Sequence, residues 1–314
     1  MNFNVAILND SAFAKELGKK GTSTDFTVYN LKQGDDTFCF FDPYQYPNKI
    51  QSLINVLTLT DSTILVVHKL DQYLGEMIVA LDLTQRDKGL IIFGDYVEKD
   101  KFISMVSGNS IEKFIIVDKR PFEVYEKLKQ YCKIENKTGD DFIMNIDAFF
   151  DVKGVGAVVI GAIKKGRVSV HDELQLYPYN KKVTVKSLQV HDEDVESAVR
   201  GSRIGLALKG IKVDELDRGL VLAKPGSLQV ASEITIETTF SKYYNENIRI
   251  GKGYFVAIGM QYRQANLLDI KEKSARKKIL KFQLHSPITF AKDDNFLVID
   301  PAAKIRICGI GILV

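Results

Sequence analysis

The chain has 314 residues, of which 45% are hydrophobic and 26% are charged, a balance typical of folded globular proteins. No apolar run approaches the ~20 residues that a transmembrane helix needs, and the amino-terminal sequence lacks the pattern of a signal peptide. The three cysteines are scattered, and the four histidines show no metal-binding spacing. We therefore expect a cytoplasmic protein without a disulfide framework, a metal site or a membrane partner.

The net charge of +3 is unevenly distributed along the chain. Residues 229–314 hold 13 basic and 8 acidic residues, whereas residues 139–228 hold 13 of each. A basic carboxy-terminal third points to a polyanionic partner. The alternative is a lysine-rich face that is merely solvated.

The first 138 residues alternate short apolar strands with helical patterns. This alternation predicts a mainly parallel sheet covered by helices. The predicted strands are 3–8, 37–41, 64–67, 90–93 and 114–117, and the predicted helices are 47–60, 71–81, 100–107 and 121–133.

The pattern changes after a polar, glycine-containing stretch at 136–141, which we interpret as a linker. Beyond it the chain consists of short β segments with frequent glycine turns, as in small β-barrels. The sequence therefore predicts three domains: an α/β domain at 1–138, a β-barrel at 139–228 and a second β-barrel at 229–314.

The middle segment carries the most specific pattern in the sequence. It contains GVGAVVIG at 154–161 and RGLVL at 218–222, in the order found in domain 2 of the EF-Tu/SelB superfamily of translational GTPases. The segments 284–288, 296–299 and 306–311 resemble the closing strands of domain 3 in the same superfamily. The closest resemblance is to the SelB-like branch.

This resemblance implies an α/β domain of the P-loop GTPase type followed by two barrels of the EF-Tu domain 2 and domain 3 types. In its three-domain length the chain is similar to SelB-like elongation factor paralogues of methanogens, the EF-Pyl group named as candidates for pyrrolysine delivery. No residue of the sequence specifies pyrrolysine.

The loop after the first strand departs from the pattern of the superfamily, G-x-x-x-x-G-K-[ST]. In that pattern the glycines let backbone amides surround the phosphates, while the Lys and the hydroxyl serve the phosphates and Mg²⁺. Lys15 stands at the Lys position, but Asn9 and Ala14 replace the two glycines and Glu16 replaces the hydroxyl. These substitutions predict weakened nucleotide binding, although Glu16 would still be able to bind a metal ion.

Two other nucleotide signatures are also altered. The D-x-P-G-H motif becomes the run 42–46, in which Asp42 remains but Tyr46 replaces the His that orients water. The guanine-binding N-K-x-D motif is missing after the strand 89–93, and the similar quartet 68–71 follows the wrong strand. We therefore predict a vestigial nucleotide site at Lys15, Glu16 and Asp42, with no catalytic residue. The resemblance implies GTP and Mg²⁺ as ligands, and the substitutions argue against them.

The resemblance also implies an aminoacyl pocket between domains 1 and 2, beside the start of the first barrel. Asp147 would take the amino group, Phe150 would form a wall, and Arg203 would favour an anionic or strongly polar aminoacyl group. The alternatives are that Phe149 or Phe150 belongs to the core and that Arg203 is a surface residue at a strand end.

A basic run at 271–281 holds six cations in eleven residues. It lies in the domain that the resemblance places near the acceptor or T stem of tRNA. Clustered cations suffice to bind the phosphates of duplex RNA, and a solvated loop is the alternative. The predicted phosphate contacts are Lys271, Lys273, Arg276, Lys277, Lys278 and Lys281.

The sequence thus favours a SelB-like elongation factor paralogue that binds an aminoacyl-tRNA, with the ribosome as a further partner and DNA excluded. Its GTPase cycle is predicted to be weak or lost. Two alternatives stay open: a non-enzymatic scaffold that binds the ribosome or translation factors, and a working GTPase with an atypical loop.

Overall fold

A computed structural model describes residues 1–132 and 141–314. The chain divides into two compact units, Met1–Glu135 and Asn136–Val314. The predicted linker falls almost entirely outside the described residues, as does the predicted boundary between residues 138 and 139. No helix within the described ranges is long and apolar enough to cross a membrane.

The amino-terminal unit is a seven-stranded sheet flanked by five helices. Apolar strands alternate with amphipathic helices, so both faces of the sheet are covered and its central strands are buried throughout. The strands are β1 (Asn2–Leu8), β2 (Lys19–Ser23), β3 (Thr27–Gln33), β4 (Asp36–Asp42), β5 (Ser62–Val67), β6 (Gly89–Phe93) and β7 (Ile115–Ile116). The helices are α1 (Ser11–Leu17), α2 (Ile50–Leu59), α3 (Gln72–Leu83), α4 (Lys99–Val106) and α5 (Pro121–Tyr131).

The strand order is β2-β3-β4-β1-β5-β6-β7, and the strands from β4 to β7 are parallel. This confirms the predicted parallel sheet. Strands β2 and β3 pair antiparallel at one edge, and neither they nor α1 was predicted from the sequence. Strand β2 has four exposed residues and one half-buried residue, so it shows no apolar alternation that would have revealed it.

The second unit begins with a closed barrel of six strands in the order β12-β17-β8-β10-β16-β13, and β13 pairs back with β12. Alternate residues of these strands point inward to one apolar core. The strands of this region are β8 (Ile143–Asn145), β9 (Ala148–Val152), β10 (Gly156–Lys165), β11 (Arg167–Ser169), β12 (Glu173–Tyr177), β13 (Lys181–Val190), β14 (Glu193–Asp194), β15 (Ser197–Val199), β16 (Arg203–Lys209) and β17 (Val221–Ala223).

A second closed barrel follows in the order β18-β21-β20-β19-β22-β23, so the α/β domain is followed by two β-barrels as predicted. Its last strand ends one residue before the end of the chain and pairs with β18 and β22. The strands are β18 (Gln229–Phe240), β19 (Gly253–Ile258), β20 (Gln261–Ser274), β21 (Lys277–Phe290), β22 (Phe296–Ile299) and β23 (Ile307–Leu313).

Gly161 is the last glycine of the segment 154–161, and substituting it tests whether this position requires glycine for steric reasons. A Cβ added there would lie 2.2 Å from the carbonyl oxygen of Asn145 on the neighbouring strand, whereas nothing lies within 4 Å of a Cβ added at Gly205. We expect Gly161→Ala to destabilise the barrel by about 1–3 kcal/mol through overpacking, and Gly205→Ala to change stability by less than about 0.5 kcal/mol. Hydrogen exchange at amides of β8 and β10 in increasing urea measures both, and equal effects of the two substitutions would refute the steric explanation.

Candidate functional site

The carboxyl ends of four parallel strands meet at one edge of the amino-terminal sheet. Asp42 ends β4, Asp10 follows β1, His68 follows β5 and Lys119 follows β7. In open α/β sheets this edge is where ligands bind. These side chains form the first candidate site, which we call the edge cluster.

Asp10 lies at the centre of the edge cluster and is 9% exposed. Its Oδ1 accepts the Phe13 amide at 2.9 Å, which caps α1, and its Oδ2 lies 2.7 Å from Lys119 Nζ and 3.2 Å from His68 Nε2. Burial favours the protonated form, but the hydrogen bonds from Lys119 and Phe13 and the charges of Lys119 and His68 hold the pKa of Asp10 below its ordinary value. An ionised carboxylate therefore occupies the amino-terminal end of α1.

The sequence did not reveal His68 or Lys119 as partners of Asp10. They are 58 and 109 residues away along the chain. The available signal was that each residue follows a predicted parallel strand of the same sheet, and the carboxyl ends of such strands converge.

The loop after β1 adopts the left-handed conformation that the glycine pattern requires, although its first residue is Asn9. The φ angle of Asn9 is 74°, which asparagine tolerates better than most residues, and its Nδ2 donates to the carbonyl oxygen of Val66 at 3.0 Å. Ala14 is fully buried, whereas Lys15 and Glu16 are exposed on α1. The structure thus places Glu16 on the helix surface.

Asp42 lies beside the same helix and is 3% exposed. Burial raises its pKa to about 6, and the negative charge of Asp10 adds to this effect. A hydrogen bond from Ser11 and the charge of Lys15 act in the opposite direction. Of the three residues predicted to form the vestigial nucleotide site, Lys15 and Asp42 interact electrostatically.

The quartet at 68–71 has a structural role. The Asp71 carboxylate accepts the Leu74 amide at 2.9 Å and caps α3, and Lys69 Nζ lies 3.0 Å from Asp71 Oδ2. Its similarity to a guanine-binding motif therefore has a local explanation.

The second candidate site lies at the start of the first barrel, where the structure brings Asp147 and Arg203 together. Arg203 Nη2 donates to Asp147 Oδ1 at 2.8 Å, and the two side chains are only 10% and 1% exposed. Arg218 Nε donates to the backbone carbonyl oxygen of Asp147 at 2.7 Å. Arg203 is therefore not the exposed residue that one alternative foresaw, and its charge is already balanced by a buried carboxylate.

The side chains of the two adjacent phenylalanines of β9 point to opposite faces of the strand. Phe149 packs against the core of the barrel, while Phe150 is 42% exposed. The residue predicted to form a pocket wall is thus the accessible one of the pair.

The basic run forms the hairpin of β20 and β21. Four of its lysines, at 273, 277, 278 and 281, lie 2.7–3.7 Å from carboxylates of Glu233, Glu237 and Glu272. Lys271 and Arg276 form no ion pair with any residue that the structure describes. The positive charge of the hairpin is therefore concentrated at these two positions.

Within residues 1–132 and 141–314, no group of three or more His, Cys, Asp or Glu side chains is arranged to hold a metal ion. In the edge cluster Asp10 is paired with Lys119 and His68, and in the first barrel Asp147 is paired with Arg203, which we call the barrel pair.

An α/β domain followed by two barrels is the architecture of translational GTPases of the EF-Tu type. Residues 156–223 match the family described as elongation factor Tu domain 2. The chain superposes on translation elongation factor SelB from Methanococcus maripaludis, in complex with the GTP analogue GPPNHP, with a TM-score of 0.83 and 20% identity, covering 99% of this chain and 78% of that one.

Two proteins of Methanocaldococcus jannaschii are similar in sequence. The selenocysteine-specific elongation factor is 26% identical over 337 residues, covering 95% of this chain and 72% of that protein. The protein described as uncharacterized protein MJ0325 is 38% identical over 297 residues, covering 95% of this chain and 94% of that protein. The chain belongs to the family of MJ0325, a SelB-like group within the EF-Tu superfamily of translational GTPases.

The raised pKa of Asp42 predicts how the stability of the folded state depends on pH. The folded state binds this proton more tightly than the unfolded state, whose pKa is near 3.8, so ionisation costs stability as pH rises from about 4 to 6. Asp42→Asn removes this cost, and we expect the variant to exceed the wild type in stability by up to about 3 kcal/mol at pH 7.5 and to match it near pH 4. Urea denaturation followed by the helical circular dichroism signal measures the difference, and a difference independent of pH would contradict the assignment.

The barrel pair makes a prediction about stability. Arg203→Met removes the guanidinium that donates to the buried Asp147 carboxylate, and we expect a loss of roughly 3–5 kcal/mol. The double variant Asp147→Asn, Arg203→Met removes both charges and should recover at least about 1 kcal/mol of that loss. Breaking the exposed pair of Lys181 and Glu215 with Lys181→Met should cost less than about 1 kcal/mol. Strictly additive effects at 147 and 203 would show that the pair is not coupled.

Proposed function

We propose that the chain is a SelB-like factor that binds an aminoacyl-tRNA without an efficient GTP cycle. The observation that carries this proposal is the position of Asp10. Its carboxylate accepts hydrogen bonds from the Phe13 amide at the amino-terminal end of α1 and from the ammonium of Lys119. These are the kinds of donor that bind phosphate oxygens. A triphosphate placed there would meet a buried negative charge, so the residues present do not suit it.

Binding of aminoacyl-tRNA is supported by the family and by the barrels. The relative named selenocysteine-specific elongation factor matches 95% of this chain. Phe150, three residues after Asp147, offers an exposed apolar surface. Because Arg203 is neutralised, this surface favours an uncharged aminoacyl group over an anionic one. The cognate tRNA is expected to contact Lys271 and Arg276 through its phosphates.

Two other functions each have one observation in their favour. The pairing of four lysines of the basic hairpin with glutamates favours a scaffold that contacts proteins rather than RNA. The interaction of Lys15 with Asp42 favours a GTPase with an atypical loop.

A nucleotide titration separates the GTPase from the other two. We expect no saturable binding of fluorescent GTP or GDP in the presence of Mg²⁺ at micromolar concentrations, and no change in Lys15→Ala, because the Asp10 carboxylate repels the phosphates. Micromolar binding that Lys15→Ala abolishes would reject the loss of nucleotide binding and favour the atypical GTPase. The Asp10→Asn variant removes the charge without changing the shape of the side chain. Any gain in its affinity for nucleotide would measure the repulsion directly.

Filter binding with charged and uncharged tRNA separates the carrier from the scaffold. We expect charged tRNA to bind at least about tenfold more tightly, with an affinity that falls as salt rises. The double variant Lys271→Ala, Arg276→Ala should reduce the slope of log K against log salt by about 2, whereas Lys273→Ala, Lys278→Ala changes two paired lysines and should reduce it less. Equal and weak binding of charged and uncharged tRNA would reject the carrier.

A further inference from the structure

The segment from Pro43 to Lys49 lies between β4 and α2 and is hydrogen-bonded to two other parts of the amino-terminal unit. In GTPases two segments near the nucleotide are ordered by contacts to the γ-phosphate and Mg²⁺ and are released on hydrolysis. One of these begins with the D-x-P-G-H motif, whose position here is the run 42–46. The other precedes β3, and here that stretch forms the edge strand β2 and the turn at 24–26.

The first group of contacts joins this segment to the turn between β2 and β3. Tyr44 Oη donates to the carbonyl oxygen of Thr24 at 2.5 Å, and Gln45 Nε2 donates to the same oxygen at 3.3 Å. From α2, Ser52 Oγ donates to the carbonyl oxygen of Asp25 at 2.7 Å. The two segments that a nucleotide would order separately are therefore bonded to each other.

The second group of contacts joins the same segment to α3. Tyr46 is 9% exposed, and its Oη lies 2.9 Å from Glu76 Oε2 and 2.9 Å from the carbonyl oxygen of Tyr73. Glu76 is 2% exposed, and a hydroxyl that donates to a buried carboxylate makes one of the stronger hydrogen bonds in proteins. The rings of Tyr46 and Tyr73 also meet edge to face at 6.5 Å.

We propose that Tyr44, Gln45 and Tyr46, with their acceptors on Thr24 and Glu76, form a latch that holds the amino-terminal unit in one conformation with or without nucleotide. Side chains of the chain itself supply the contacts that a γ-phosphate supplies in a switching GTPase. The latch deepens the proposed function, because it fixes the conformation in which the unit meets its partners. It does not depend on whether nucleotide binds.

Hydrogen exchange of the full-length chain tests the latch. The amides of Tyr46 and Lys49 are hydrogen-bonded within the segment, the amide of Tyr44 is bonded to Asp42, and all three report its opening. We expect their exchange, and that of 24–26, to be the same without nucleotide, with GDP and Mg²⁺, and with a GTP analogue and Mg²⁺. Tyr46→Phe, which removes only the hydroxyl, should speed exchange at 43–49 about tenfold. Glu76→Gln keeps an acceptor and should have a smaller effect.

Tyr73→Phe is the matched control. The side chain of Tyr73 is 42% exposed, and the variant keeps both the ring and the backbone carbonyl oxygen that contact Tyr46, so exchange at 43–49 should stay at the wild-type rate. If Tyr46→Phe raises exchange throughout residues 1–132, the variant has destabilised the whole unit and does not report on the latch alone. The test then uses Tyr44, whose side chain is exposed. Tyr44→Phe should speed exchange only at 24–26 and 43–46.

The outcomes separate the latch from the proposed function. Exchange at 43–49 that differs between GDP and the GTP analogue would overturn the latch, and so would Tyr46→Phe and Tyr44→Phe variants that exchange like the wild type. Nucleotide that binds in the titration but leaves exchange unchanged would overturn the loss of nucleotide binding and support the latch.

Discussion

The carboxylate of Asp10 is almost completely buried, so it is stable as an anion only where donors surround it. The sheet supplies those donors because its parallel strands end at one edge. Asp10 and the helix it caps follow β1, His68 follows β5, and Lys119 follows β7. At this edge of the sheet, where open α/β folds bind ligands, the chain places a carboxylate of its own. The arrangement of the whole edge follows from satisfying that one charge.

The same solution recurs in the first barrel, where a carboxylate and a guanidinium are buried together. A buried ion pair contributes little net stability, because desolvation offsets the attraction, but it enforces one arrangement of the strands that carry it. Asp147 precedes β9 and Arg203 begins β16, and both strands pair with β10. The pair therefore ties the residue before β9 to the first residue of β16 across β10.

Much of the architecture follows from local patterns, whereas the sites depend on distant ones. The parallel sheet was predictable because strands such as 64–67 and 90–93 are continuous apolar runs of the kind that is buried on both faces. The edge strand β2 was missed because Lys19–Ser23 is exposed and follows no alternation. The pairing of Asp147 with Arg203 spans 56 residues, and no spacing rule encodes it. The sequence identified both residues through the family pattern and said nothing of the bond between them.

A GTPase obtains two things from its nucleotide: an anion at the amino-terminal end of a helix and contacts that order two segments nearby. A chain that dispenses with nucleotide must replace both, or this edge of its sheet would hold unpaired donors and loose loops. Under the proposed function, the carboxylate of Asp10 replaces the anion, and the hydroxyls of Tyr44 and Tyr46 replace the ordering contacts. Neither replacement requires the other, since they use different residues and different acceptors. That both occur at one edge argues for a unit built to keep one shape, rather than for a GTPase that has lost single residues at random.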